Sequence, residues 1–315
     1  MKRLLLIVPA FVLQFCLLSG QELISPVKLP KKSLNFMVSN DMGRRGVSQQ
    51  KAIAVLMGKE ADLNNIEFVA VAGDPIHDNG VKSVTDSEWK VKYEDIYTAP
   101  SLMDIPWHAV PGNHEYHGSI QALIDYSQIS GRWEMPSRYY TVEKTIDKRG
   151  NKVLIVFIDT PPLIDRYRDE KADYSDAGKQ DLEKELHWID STLSVSDHRW
   201  KIVIGHHPVY ADTDKGESER TDMQSRVGKI LEDRKTDLYI CGHIHNFQHI
   251  RPEGKYVNYV VNSSASSSRE VNKIDGTLFC NPDPGVTVCS ATRDDFTFYF
   301  INNKGETVYS YALRK

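Results

Sequence analysis

The 315-residue chain is 40% apolar, and its 43 acidic residues against 39 basic ones leave a formal charge of −4. That length and apolar content suffice for one large core, or for one main domain with a small appendage. A net negative chain without an arginine-rich stripe offers no electrostatic footprint for a phosphate backbone, so nucleic acid is not an expected partner.

Lys2 and Arg3 precede an uncharged run, Leu4 to Leu18, that ends near Ser19-Gly20-Gln21. A basic start, a short apolar run and small residues describe a signal peptide over residues 1–20, because the run is too short for a comfortable membrane span. A secreted or periplasmic protein with no stable membrane partner is therefore expected, with a retained anchor as the alternative. Cys16 lacks the small-residue context of a lipidated cysteine. Residues 21–33 read as an N-terminal extension, and 34–315 as the domain.

Within that domain, Leu34 to Ser39 is a mostly apolar run ending at Asn40-Asp41, and Phe68 to Ala72 is another ending at Gly73-Asp74. Ile53, Leu56 and Met57 recur between them at helical spacing, so the stretch reads strand, helix, strand. The same grammar predicts strands at Trp107 to Val110, Val153 to Ile158, Ile202 to Ile204 and Leu238 to Ile240. Leu182, Leu186, Ile189 and Leu193 trace one face of a helix introduced by Ser175 or Asp176. Buried strands alternating with helices predict a layered α/β fold in which polar residues at strand ends converge on one crevice.

After about residue 255 the pattern changes. Tyr256 to Val261, Val286 to Ala291, Phe296 to Ile301 and Thr307 to Leu313 read as successive strands, with turns at Pro284-Gly285 and Asn303-Lys304-Gly305. An antiparallel end to a sandwich is expected rather than a separate domain. Cys280 and Cys289 bracket Asn-Pro-Asp-Pro-Gly and could close a short disulfide loop in an oxidising compartment. Three free thiols, counting Cys241, is the other reading.

Five short blocks carry the chemistry: Asn40-Asp41-Met42-Gly43, Gly73-Asp74-Pro75-Ile76-His77, Gly112-Asn113-His114-Glu115, Gly205-His206-His207-Pro208 and Gly242-His243-Ile244-His245. Singly, an Asp after a strand is usually a cap and a His beside Gly is usually structural. Five such endings in strand order exceed what capping explains. Carboxylate oxygens mixed with neutral imidazoles suit zinc, iron or manganese better than calcium. The donors outnumber one tetrahedral site, so two ions are expected, bridged by a carboxylate at about 3.5–4 Å separation, with Asp74 as the candidate bridge.

These blocks resemble the signature of the calcineurin-like metallophosphoesterases, and more specifically of the small purple acid phosphatases. The likeness runs from about Leu34 to the C-terminus and includes Tyr126-Ser127-Gln128-Ile129-Ser130-Gly131-Arg132-Trp133. It implies an α/β (in some schemes α+β) four-layer sandwich, two mixed β-sheets flanked by helices. It also implies that Asp41 and His245 bind a first metal, that Asp74 bridges, and that Asn113, His206 and His243 complete a second. His114 would approach the leaving-group oxygen, oriented by Glu115, while His207 has no clear role. The implied activity is hydrolysis of phosphate monoesters, small-molecule substrates, by metal-activated hydroxide, with iron paired with zinc, manganese or a second iron and a monomer favoured. A phosphodiesterase or diphosphate hydrolase of the same fold is the alternative, and a noncatalytic phosphate- or partner-binding protein is another.

The departures from that pattern are specific. Gly43 stands where many members of the wider family carry His, and His77 stands where the purple enzymes place the tyrosine whose phenolate colours ferric iron. His77 is therefore expected to ligate the first metal in that tyrosine's stead, or else to turn away as a loop residue. Asn40 replaces the Gly usual before the first Asp, and Asn262-Ser263-Ser264 replaces a Gly-rich stretch.

Overall fold

The computed structural model describes residues 27–315, so the expected signal peptide lies outside the described residues. Strands that are apolar on both faces need cover on both sides, and the sequence meets that need with two stacked sheets and outer helices. Leu34–Ser39 (β1) and Phe68–Ala72 (β2) are buried throughout and pair in parallel, with Phe36 opposite Phe68. The helix Gln50–Asn64 connects them, burying Ile53, Ala54, Met57 and Ala61. It ends where Asn65 turns left-handed, at φ +49°, and returns its N–H to the Ala61 carbonyl.

The first sheet continues in parallel through Trp107–Val110 (β3) to Trp133–Glu134 (β4). On the other side of β1 it extends through an antiparallel meander described below. The second sheet is built around the parallel strands Lys152–Phe157 (β6), Trp200–Ile204 (β7) and Leu238–Cys241 (β8), with Tyr140–Thr145 (β5) antiparallel at one edge. Phe36, Phe68, Val110, Phe157, Ile202, Ile204, Ile240 and Phe298 form one core between the sheets. Met37, Val69, Val71, Val156 and Val203 join a separate core with the helices on the outer faces. Neighbouring residues on one strand thus enter different cores, which is why these runs do not alternate apolar with polar. The architecture is the expected four-layer α/β sandwich of two mixed sheets flanked by helices.

The C-terminal part divides between the sheets. Gly285–Ala291 (β12), Asp295–Asn302 (β13) and Thr307–Arg314 (β14) form the expected antiparallel meander on β1. Asn258–Val261 (β10) instead joins the second sheet, parallel to β8. Besides β4 and β5, which the hydrophobic runs also do not predict, two further unanticipated strands, Phe247–Ile250 (β9) and Thr277–Asn281 (β11), complete that sheet. Their polar residues, Gln248, His249 and Asn281, hid them from a reading by hydrophobic runs.

Three further expectations are corrected. The helix Leu182–Ser194 is capped by Asp181, whose carboxylate accepts from the Lys184 N–H, and not by Ser175 or Asp176. Gly285 begins β12 and is not a turn residue. Cys280 lies in β11 of the second sheet and Cys289 in β12 of the first, and both are free, as is Cys241. The short loop that their spacing suggested is therefore not closed by a disulfide.

Candidate metal centre

Parallel strands point their C-terminal ends the same way, so the loops after them meet at one edge. Asp41 follows β1, Asp74 and His77 follow β2, Asn113 and His114 follow β3, His206 follows β7, and His243 and His245 follow β8. The two sheets thus contribute to a single site. Asp41, Asp74, His243 and His245 all adopt left-handed backbone, at φ +50°, +50°, +71° and +64°. Such conformations cost non-glycine residues about 1–3 kcal/mol each and persist where surroundings over-determine them. Gly112 is required for space, since a Cβ there would lie 2.7 Å from the Asp74 nitrogen and overlap its carboxylate. Gly73 is required twice, because its φ is +86° and a Cβ would press on the His206 ring.

The His206 Nδ1 donates to the Ala72 carbonyl at 2.9 Å, which leaves Nε2 to face the centre. There it meets Asp74 Oδ2 at 3.1 Å, Asn113 Oδ1 at 3.2 Å and His243 Nδ1 at 3.1 Å. Burial pushes the His206 pKa down, but the Asp74 carboxylate outweighs it and raises it to about 9, so the centre favours positive charge at this point. On the other side His245 Nε2 lies 3.0 Å from Asp41 Oδ1. His77 Nε2 stands 3.6 Å from Asp74 Oδ2 and 3.9 Å from Asp41 Oδ1, buried, with neither ring nitrogen hydrogen-bonded. Burial lowers its pKa to about 3, leaving a neutral imidazole with an unused lone pair. Asp41, His77 and His245 make one group of converging donors and Asp41, Asp74 and His206 another, each within 4.8 Å. Orphaned nitrogens beside two carboxylates, and the Asp74, Asn113 and His243 atoms gathered around His206 Nε2, fit a pair of cations.

The sequence departures acquire reasons here. A Cβ at position 43 would overlap the Pro75 carbonyl and stand 2.7 Å from Ile76 Cα, so no imidazole can project from that position, and His77 comes in from the segment that Gly43 packs against. Asn40 Nδ2 donates to Asp41 Oδ2 at 2.6 Å, and its side-chain oxygen accepts from Asn262 Nδ2. Ser264 and Ser266 both donate to the Asp41 carbonyl. The unusual Asn and Ser residues therefore lock the Asp41 loop.

Glu115, expected to orient His114, does not reach that ring. Its carboxylate accepts from the backbone N–H groups of Asp74 (3.1 Å), Ile76 (3.0 Å) and Gly112 (2.8 Å), and so ties the β2 loop to the β3 loop. The His114 ring is held by Nδ1 donating to the Asp78 carbonyl, with Nε2 3.8 Å from Asp74 Oδ2. His207 lies beside His243, but Thr160 Oγ1 at 2.8 Å and the Tyr167 hydroxyl at 3.0 Å occupy both its nitrogens. Two residues that the sequence reading missed also touch His243: Glu219 Oε2 lies 3.1 Å from Nε2, and Lys215 Nζ lies 3.2 Å from Nδ1. Neither stands in a motif, and no sequence signal marks them.

Residues 34–247 match the family model described as calcineurin-like phosphoesterase. Purple acid phosphatase 4 of Arabidopsis thaliana is 33% identical over 298 residues, 91% of this chain and 85% of that one. Tartrate-resistant acid phosphatase type 5 of Sus scrofa is 28% identical over 235 residues, 71% of this chain and 67% of the relative. Among solved structures, GAP50, the anchor in the inner membrane complex of Plasmodium, is similar with a TM-score of 0.78 at 24% identity over 90% of this chain and 89% of that one, a likeness of fold. The family match takes in every loop that feeds the two donor groups, and on that ground the protein belongs to the calcineurin-like phosphoesterases, as a metal-dependent enzyme of the binuclear type with purple acid phosphatases among its relatives.

Proposed function

We propose that the protein hydrolyses phosphate monoesters. The observation that carries this reading is the placement of His114: its side chain is 30% exposed while Nε2 faces the bridging candidate Asp74. Protonated on both nitrogens, the ring would keep Nδ1 on the Asp78 carbonyl and present an Nε2 proton at the mouth of the centre, where a departing alkoxide needs it. The purple and tartrate-resistant acid phosphatases among the relatives support a monoester over a diester.

In this reading Asp41, His77 and His245 hold the first ion, Asn113, His206 and His243 hold the second, and Asp74 bridges. When bound, the ions supply neutralisation of the phosphoryl charge and an activated water. Iron paired with zinc, manganese or a second iron suits the mixed oxygen and nitrogen donors. The chain itself fixes the donors before substrate arrives: Ala72 sets the His206 tautomer, and Glu115 holds the loops of Asp74 and Asn113 together.

Kinetics on a monoester, a diester and a diphosphate, measured side by side, test the class, and a diester turned over best would overturn it. His114→Ala tests the acid. Removing it should cost about 10²–10⁴ in turnover of an alkyl phosphate and much less for a nitrophenyl phosphate, whose leaving group needs no proton. Equal losses on both substrates would remove His114 from this role.

A further inference from the structure

His243 reaches the centre through Nδ1, so its other nitrogen must carry the proton. A neutral imidazole has one donor and one acceptor, and hydrogen positions have to be read from partners. Both of the partners here give the same answer. Glu219 Oε2, 3.1 Å from Nε2, belongs to a carboxylate whose other oxygen accepts from Arg166 Nη1 at 2.7 Å and the Tyr167 hydroxyl at 2.9 Å. A carboxylate so paired is ionised and only accepts, which places a hydrogen on Nε2. Lys215 Nζ, 3.2 Å from Nδ1, carries donors only, which places a lone pair on Nδ1. Nδ1 is also the atom 3.1 Å from His206 Nε2, on the side of Asp74 and Asn113.

We propose that Glu219 is a positioning residue for the second ion, holding the His243 ring in the tautomer and orientation that present Nδ1 to it. This rests on the two-ion reading above. A carboxylate behind a ligating imidazole fixes its rotation and makes its free nitrogen more basic. Among the described residues, Glu219 is the carboxylate that stands behind His243, whereas His206 is backed by a backbone carbonyl and His245 by the Ser267 hydroxyl. The support continues inward: Tyr167 donates to Glu219 and accepts from His207 Nε2, and Thr160 donates to His207 Nδ1. That chain gives His207 a place without ligation. It lets the buried histidine keep the tyrosine hydroxyl aimed at the carboxylate.

The test uses the full chain stripped of metal and titrated with zinc by calorimetry, with bound zinc counted after dialysis. Wild type should bind two ions. Glu219→Ala should weaken the second by about 10–100-fold and leave the first unchanged, and Glu219→Gln, which keeps an acceptor oxygen, should fall between. Turnover of both variants should drop at limiting zinc and return in excess zinc with KM for the ester little changed. Should the alanine variant fail to fold, the glutamine variant, of the same shape, carries the test. Unchanged affinity at both sites, or equal weakening of both, would overturn the proposal while leaving the two-ion reading intact. A wild type that binds one ion would overturn both.

Discussion

His77 stands where the resemblance to the purple acid phosphatases implies a tyrosine. Its ring is buried with two unsatisfied nitrogens, an arrangement that costs about 1–3 kcal/mol per unpaired group unless something binds there. A cation between His77, Asp41 and Asp74 would engage the ring nitrogen together with both carboxylates. An imidazole in place of a phenolate removes the donor responsible for strong visible absorption. Iron-loaded wild type under oxidising conditions should therefore lack a phenolate-to-iron band, and His77→Tyr should gain one. A strong band in the wild type would mean that another tyrosine coordinates and would overturn the assignment.

Among the elements, the loops after β1 and β2 are interlocked. The Asp41 N–H donates to the Gly73 carbonyl and the Met42 N–H to the Asp74 carbonyl, so each loop is partly the template of the other. Gly43 is the close-approach point between them, and the missing side chain is what lets the Pro75–His77 segment enter. Gly43→Ala should force that segment outward. The expected cost is about 1–3 kcal/mol, as for overpacking in a tight core, together with weaker binding of the ion that we assign to Asp41, His77 and His245. A variant with unchanged melting temperature and full metal content would show that the contact is slack.

Across the whole molecule, the centre joins the two sheets. β1, β2 and β3 bring carboxylates, Asn113 and the His77 and His114 imidazoles, while β7 and β8 bring His206, His243 and His245. Ions bound across that seam tie the layers together and stabilise the folded state by mass action, about 2.7 kcal/mol for one site at a hundred times its dissociation constant. A chain somewhat larger than 250 residues shifts its melting temperature by about 2–4 °C or slightly less per kcal/mol. Chelation should thus lower the melting temperature by roughly 5 °C or more, and zinc or iron should restore it. A melting curve unmoved by verified metal removal would mean that the seam does not depend on the ions.

The sequence determined the fold class and nearly all of the polar residues that converge at the strand ends, because both are local: a strand is legible from its apolar run, and a candidate ligand loop from the Gly, Asp, Asn or His that ends it. The five blocks are read together on that logic, the resemblance assigns Asp41, Asp74, Asn113, His206, His243 and His245 to the metals, and the structure gathers these residues at one edge. Tertiary structure decided whatever depends on residues far apart in the chain. Glu115 binds backbone N–H groups of another loop and leaves the neighbouring His114 ring alone, Glu219 reaches His243 from a helix with no motif, and Cys280 and Cys289 part into different sheets. Spacing in sequence fixes what a residue can offer. Which partner receives it is fixed by how parallel strands and two sheets stack, and that is a long-range choice made by burial.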